Sequence, residues 1–368
     1  MTANCTRLSI NSTTHNQKYV AYWLFGMSVL VAIMVVIGGV TRLTGSGLSM
    51  VEWRPVIGTL PPLNAEEWQR VFDLYRATPE YEQLNYGIDL GGFKSIFFWE
   101  YFHRLWGRLL GLAFGLPFVF LLVTKRVPRG YNRRLTTLLL LGGFQGVIGW
   151  WMVKSGLSEE KTMLDVASYR LAIHLSLALI ILSVIYALIN INRSRSITPL
   201  VKISPEKKTS QETLTNIMLV LFFLQVFLGA LVSGIDAGLS YSDWPLMNGR
   251  VIPEDIFYLN PWHLNFLENP ALVQFNHRLM GYCILIFGFV LWVRGTTTGS
   301  LNKQKIMKYH SLLFVLVLQV TLGIIAVLMS VPLILGLGHQ LVAMLLLLCI
   351  LNLKFSLSAE RKIKAVYS

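Results

Sequence analysis

Four histidines, His103, His174, His277 and His339, lie in strongly apolar stretches, where ionisable side chains are costly and usually functional. Their surroundings repeat. His103-Arg104-Leu105 matches His277-Arg278-Leu279, and a glutamine follows each histidine 42 residues later, at Gln145 and Gln319. The flanks agree too, Gln145-Gly146-Val147-Ile148-Gly149 against Gln319-Val320-Thr321-Leu322-Gly323. The next histidine comes after 29 residues in one copy and 20 in the other, which puts the extra residues around 158–165. Two imidazoles at equal depth on parallel helices can fill both axial positions of one haem iron. The spacing therefore offers two such sites, His103 with His174 and His277 with His339. Zinc fits less well, because no third and fourth Cys or carboxylate ligand accompanies either pair. A lone membrane histidine is more often an interhelical hydrogen-bonding residue, but four at repeat-related positions read as ligands. His15, His263 and His310 have no repeat partners and read as tail, loop or helix-end residues.

One departure from the repeat is chemically informative. Trp99-Glu100-Tyr101-Phe102-His103-Arg104 aligns with Val273-Gln274-Phe275-Asn276-His277-Arg278, so an acid in one half faces its neutral isostere in the other. Residues at i and i+3 share a helix face, which points Glu100 toward the first pocket. An acid favoured by a helix N-terminus is the plainer alternative. Arg104 and Arg278 directly follow the first histidine of each pair, and a guanidinium suits bidentate recognition of carboxylates such as haem propionates. Snorkelling to the interface is compatible with that role. Arg42 is a weaker candidate for the same job. Gln145 and Gln319 read as interhelical hydrogen-bonding residues.

The elements that must position these groups follow from composition. Of 368 residues, 54% are apolar and 14% charged, and the mean hydropathy is +0.55. A soluble protein has about 45–50% and about 25%. Intrinsic disorder, a secreted disulfide scaffold and an ordinary cytosolic enzyme are excluded. This is an all-α integral membrane protein.

Eight runs are long enough to cross a bilayer at about 20 residues each: 20–40, 96–123, 135–153, 169–190, 214–233, 271–292, 308–329 and 332–353. Pro332 marks a tight turn between the last two. The net charge of +13 is no nucleic-acid signal, because the basic residues cluster in alternate short loops and in the C-terminal tail. The loops after the first and fifth runs carry most of the acids, which places the N- and C-termini in the cytoplasm. In the first of these loops, Asn64 and Glu67 resemble a capping box, and Trp68, Val71, Phe72 and Tyr75 form an apolar stripe, predicting a short helix on the outer surface. Gly47-Leu48-Ser49 with Trp53 recurs 191 residues later as Gly238-Leu239-Ser240 with Trp244. Four runs per half make the repeat parallel, about an axis along the membrane normal. The expected organisation is two tandem four-helix repeats, 20–191 and 214–354, each holding one histidine pair. They are joined by a basic cytoplasmic linker at 192–213 and flanked by cytoplasmic tails at 1–19 and 355–368. Cys5, Cys283 and Cys349 lie in a tail and in apolar runs, so no structural disulfide is expected. The first run lacks a cleavage site after it and reads as a retained span.

At these residues the sequence resembles the haem A synthase family. The resemblance rests on Glu-x-x-His-Arg at 100–104, Gln-x-x-His-Arg at 274–278, the later His174 and His339, and the Gly-Leu-Ser…Trp motif of both halves. It covers about residues 20–355. It implies an eight-helix membrane oxidoreductase that converts the C8 methyl of haem O to the formyl group of haem A. By the same resemblance, His277 and His339 ligate the iron of a haem b cofactor, His103 and His174 hold the substrate haem, and Glu100 is the catalytic carboxylate. Some bacterial members carry a cysteine pair in the first outer loop. Residues 41–95 here have none, which resembles the alphaproteobacterial and mitochondrial branch. The expected setting is a bacterial inner membrane with the haem sites toward the periplasm. The expected partners are haem O synthase, cytochrome oxidase assembly factors, an electron donor and the lipid bilayer, and no nucleic acid. The rival reading is a dihaem b-type electron-transfer protein linked to quinol, which four ligands alone would fit equally well. The acid at one haem only favours an enzyme.

Overall fold

A computed structural model describes residues 2–52, 57–128, 130–157, 165–197, 209–297 and 302–367. Its twelve α-helices are α1 (Thr2–Leu43), α2 (Ala65–Arg76), α3 (Pro79–Gln83), α4 (Leu90–Val123), α5 (Asn132–Gly156), α6 (Ser168–Ile197), α7 (Ser210–Gly234), α8 (Ala237–Ser240), α9 (Asn265–Glu268), α10 (Pro270–Thr297), α11 (Lys303–Leu328) and α12 (Leu333–Tyr367). Eight of these, α1, α4, α5, α6, α7, α10, α11 and α12, are long and apolar enough to span a bilayer. Helices suit this role because each satisfies its own backbone hydrogen bonds in lipid. Every span outlasts its apolar run by a turn or more, since polar residues continue a helix once it leaves the hydrocarbon. The α11–α12 turn falls at Pro332 as the sequence predicts, with Ser330 and Val331 both at positive φ.

Helices α1, α6, α7 and α12 pack on one another at the centre of the bundle. Around them, α4 lies on α1, α5 on α6, α10 on α7 and α11 on α12. One continuous apolar core links the central helices through residues such as Leu24, Ile185, Met218 and Leu347. The extra residues around 158–164, Trp53 and residues 198–208 of the basic linker lie outside the described residues.

Close helix approach depends on small residues at specific points. A Cβ on Gly295 would run into the ring of Tyr309, which is fully buried between α10 and α11. Gly295→Ala is therefore expected to destabilise the protein by about 1–3 kcal/mol through overpacking. Gly26, with nothing near its would-be Cβ, is the control, and Gly26→Ala should be neutral or better. Thermal unfolding in detergent distinguishes the two.

Above the spans, the loop helix expected from Asn64 is α2. The Asn64 side chain accepts from the Glu67 amide at 2.8 Å, while the Glu67 carboxylate pairs with Arg70 rather than closing the box. The α2 stripe is a plug: Phe72 and Tyr75 pack on Phe93, and Trp68 meets Phe97 edge-on at 5.1 Å. This aromatic cluster fixes the start of α4 and with it the helix that carries Glu100 and His103.

Candidate functional site

Each of the four histidines faces a glycine on the preceding spanning helix. His103 on α4 lies against Gly38 of α1, and His174 on α6 against Gly149 of α5. His277 on α10 lies against Gly229 of α7, and His339 on α12 against Gly323 of α11. At the last three glycines a Cβ would come within 2.8–2.9 Å of the imidazole Cε1, closer than real Cβ contacts come; at Gly38 the nearest ring atom is 3.4 Å away. The glycines are thus cradles for aromatic rings. His103 and His174 stand within electrostatic range of each other, and so do His277 and His339. His174, His277 and His339 sit six or seven residues into their helices, about 10 Å at 1.5 Å per residue. His103 is deeper in α4 only because that helix begins earlier, under the aromatic plug.

Glutamines accompany the rings. The Gln145 amide nitrogen lies 3.2 Å from His174 Nδ1 and donates to the His174 carbonyl at 3.0 Å. Gln225 does the same for His277, at 3.1 Å to Nδ1 and 3.1 Å to the carbonyl. Gln319 lies 3.1 Å from His339 Nε2. Gln145 and Gln319 are interhelical hydrogen-bonding residues, as the sequence predicts. Gln225 went unnoticed there, although a signal existed: Gln-x-x-x-Gly precedes His174, His277 and His339 alike.

Glu100 is 2% exposed and is held from three sides. Ser49 Oγ donates to it at 2.8 Å, the Met50 amide donates at 2.6 Å, and Arg104 pairs with its other oxygen. The Gly-Leu-Ser motif thus closes over the helix turn carrying the acid. In the other half, Gln274 is as buried but reverses the polarity, donating to the Tyr241 carbonyl at 3.0 Å. A carboxylate accepts from the loop; an amide donates to it.

The three arginines singled out by the sequence also tie down loops. Arg104 donates to the Met50 and Glu52 carbonyls, and Arg278 to those of Tyr241, Asp243 and Leu246. Arg42 donates to the Ser233 carbonyl at 2.6 Å and pairs with Asp236 at 3.0 Å and Asp165 at 3.6 Å. It thereby joins α1 to the end of α7. A propionate at any of these positions would have to share the guanidinium with the loop.

Sequence reading also missed Glu80, which α3 buries to 6% exposure with Oε2 lacking a hydrogen-bond partner among the described residues. Burial first, then the Glu100 and Asp165 charges, push its carboxyl from an ordinary 4.5 up to about 8, against the pull of Arg42. The folded state therefore binds a proton that the unfolded state releases, and stability falls as pH rises between about 4.5 and 8. Glu80→Gln should flatten that part of the profile, read as unfolding temperature against pH beside wild type.

Residues 21–351 match the model of the COX15-CtaA family, described as cytochrome oxidase assembly protein. The chain belongs to this family. Proteins named Heme A synthase are similar to it over nearly their whole length. The one from Paracoccus denitrificans is 47% identical across 90% of this chain and 85% of its own. The one from Dinoroseobacter shibae is 45% identical across 91% and 86%. The one from Parvibaculum lavamentivorans is 44% identical across 91% and 93%. These relatives give no support to the rival reading of a plain dihaem electron carrier. Membership of the assembly-protein family agrees with the resemblance drawn from the Glu-x-x-His-Arg and Gln-x-x-His-Arg turns.

Proposed function

We propose that this chain is a haem A synthase, an oxidoreductase that converts the C8 methyl of haem O to the formyl group of haem A for terminal oxidases. The observation that carries the reading is a buried acid, Glu100, one turn from His103, where the other half has Gln274. In this reading His277 and His339 hold haem b, and His103 and His174 hold the substrate haem O. The glycine cradles and the amides of Gln145, Gln225 and Gln319, whose oxygens are buried without partners among the described residues, suit planar rings and a further polar ligand. Haem b supplies electron transfer when bound; the protein supplies orientation and electrostatics.

The chemistry asks little else of the side chains. Two hydroxylations of the methyl and loss of water from the gem-diol give the aldehyde. This is a four-electron oxidation, for which an external oxidant such as dioxygen must take up the electrons and supply the oxygen, and protons must leave the reacting carbon on the way. Glu100 is the acceptor at hand, and its negative charge also favours any positive charge developing beside the macrocycle. Ser49, Met50 and Arg104 hold that carboxylate in one orientation, as general-base catalysis requires. Arg104, Arg278 and Arg42 are proposed partners of the propionates. The loops they anchor would close over the haems and exclude water.

The proposed setting is a bacterial inner membrane with both sites toward the periplasm, between haem O synthase and the oxidase assembly factors, and with an electron donor as partner. Expression in a host that makes haem O but no haem A tests the reading. Haem A should appear in extracted membranes, and its absence despite normal protein levels would refute the proposal.

A further inference from the structure

The support behind the histidines is uneven, and the unevenness falls on one ring. Going back from the cradle glycine by four residues gives Gln145 before Gly149, Gln225 before Gly229 and Gln319 before Gly323. Before Gly38 the same step gives Met34. Met34 occupies the matching place in space as well as in sequence. Its Cε lies 3.5 Å from the would-be Cβ of Gly107, four residues after His103. The Gln225 amide nitrogen lies 3.5 Å from that of Gly281, four residues after His277.

The three glutamines share a second property. Gln145, Gln225 and Gln319 each bury Oε1 with no hydrogen-bond partner among the described residues. An unsatisfied buried acceptor costs about 1–3 kcal/mol. Three at equivalent places beside three imidazoles are an acceptor set waiting for a donor. An imidazole that binds metal through one nitrogen carries a proton on the other, and normally donates it to a neighbouring acceptor. A half-turn of the amide about its last side-chain bond exchanges nitrogen for oxygen, and at Gln145 and Gln225 it gives up the bond now donated to the histidine's own carbonyl in exchange for the one accepted from the ring. At His174 the amide nitrogen lies 3.2 Å from Nδ1 and 3.3 Å from Nε2, and at His277 it lies 3.1 Å and 3.5 Å from the same atoms, within reach of either ring nitrogen. At His339 it stands at Nε2, and Nδ1 is buried without a partner.

We infer that Gln225, Gln319 and Gln145 are positioning residues that accept the ring N–H of a haem-bound histidine, and that Met34 withholds this bond from His103. The inference rests on the ligand assignment proposed above. Haem b would then be gripped by two supported ligands, and the substrate haem by one supported ligand, His174, and one unsupported, His103. His103 is also the ring with the looser glycine. An enzyme that must release its product needs a ligand that lets go, and His103 is that ligand.

A reciprocal exchange tests this on the full-length protein in detergent. Loss of an outer-shell partner typically costs 10–100-fold in metal affinity. Gln225→Met should speed haem b transfer to excess apomyoglobin by about 10–100-fold and move the haem b midpoint potential in the positive direction, because the ring becomes a poorer electron donor. Met34→Gln, with haem O added as the probe, should slow haem release from the first pocket by a similar factor and move that potential in the negative direction. A packing role would loosen both sites, so shifts of the same sign, or none, overturn the inference. Met34→Gln decides alone if Gln225→Met fails to accumulate: an unchanged or faster haem O release rejects it. His277→Ala in the same series keeps the two readings apart. If that variant retains low-spin haem b, the ligand assignment fails rather than the glutamine role.

Discussion

Glu100→Gln is expected to cut haem A formation by about 10²–10⁴-fold, the usual loss when a positioned acid or base is removed. Haem O, or the partly oxidised alcohol, should accumulate on the protein. The substitution keeps the shape of the side chain but not its bonds. Ser49, the Met50 amide and Arg104 all donate to the carboxylate, and an amide offers only one acceptor oxygen. Arg104 loses its buried anion as well, so some loosening of the loop over residues 47–50 must accompany the chemical loss. Ser49→Ala separates the two effects. It removes one anchoring bond and leaves the charge, so it should weaken the loop while keeping most of the turnover. Haem extracts of membranes carrying each variant, normalised to haem b, make the comparison. Near-normal haem A in Glu100→Gln would return the residue to a loop anchor. A Ser49→Ala loss as large as that of Glu100→Gln would assign the effect to anchoring.

The second large effect divides the two pockets. His277→Ala or His339→Ala should abolish the low-spin haem b spectrum, because losing one axial ligand opens the iron coordination. His103→Ala should leave most of that spectrum in place and still stop turnover. The glycine cradles sharpen the expectation: with the ring gone, Gly229 or Gly323 faces a void and has no other ligand to offer. Reduced-minus-oxidised difference spectra of the three purified variants are the measurement. If His103→Ala removes most of the haem b signal instead, the two halves have been assigned the wrong way round.

Much of this architecture was legible in the sequence because lipid leaves few choices. Apolar runs at bilayer length gave the eight spans, and only the polar helical extensions escaped. The Asn64 cap and its aromatic stripe announced α2. The histidine pairs and Glu100 were visible because polar groups stand out in an apolar background. What did not show was how the loops use these groups. The i,i+4 spacing of Glu100 and Arg104 permits their ion pair, but nothing in Glu-x-x-His-Arg reveals that the arginine also donates to loop carbonyls rather than standing ready for an external carboxylate, since those contacts span some fifty residues. Glu80 escaped because an acid in a loop is ordinarily solvated, and only the packing of α3 buries it. Gln225 escaped because the halves were aligned through the residues following His103 and His277. The glutamine–glycine step precedes His174, His277 and His339 and repeats by hairpin rather than by half.

Haem extraction from the purified protein, followed by mass analysis, tests the central claim most directly. Haem b together with haem O, its alcohol or haem A is the expected composition. It requires one resident cofactor and one haem in the course of modification. Haem b alone, filling both histidine pairs, would mean a chain that carries electrons between two equal haems and changes neither.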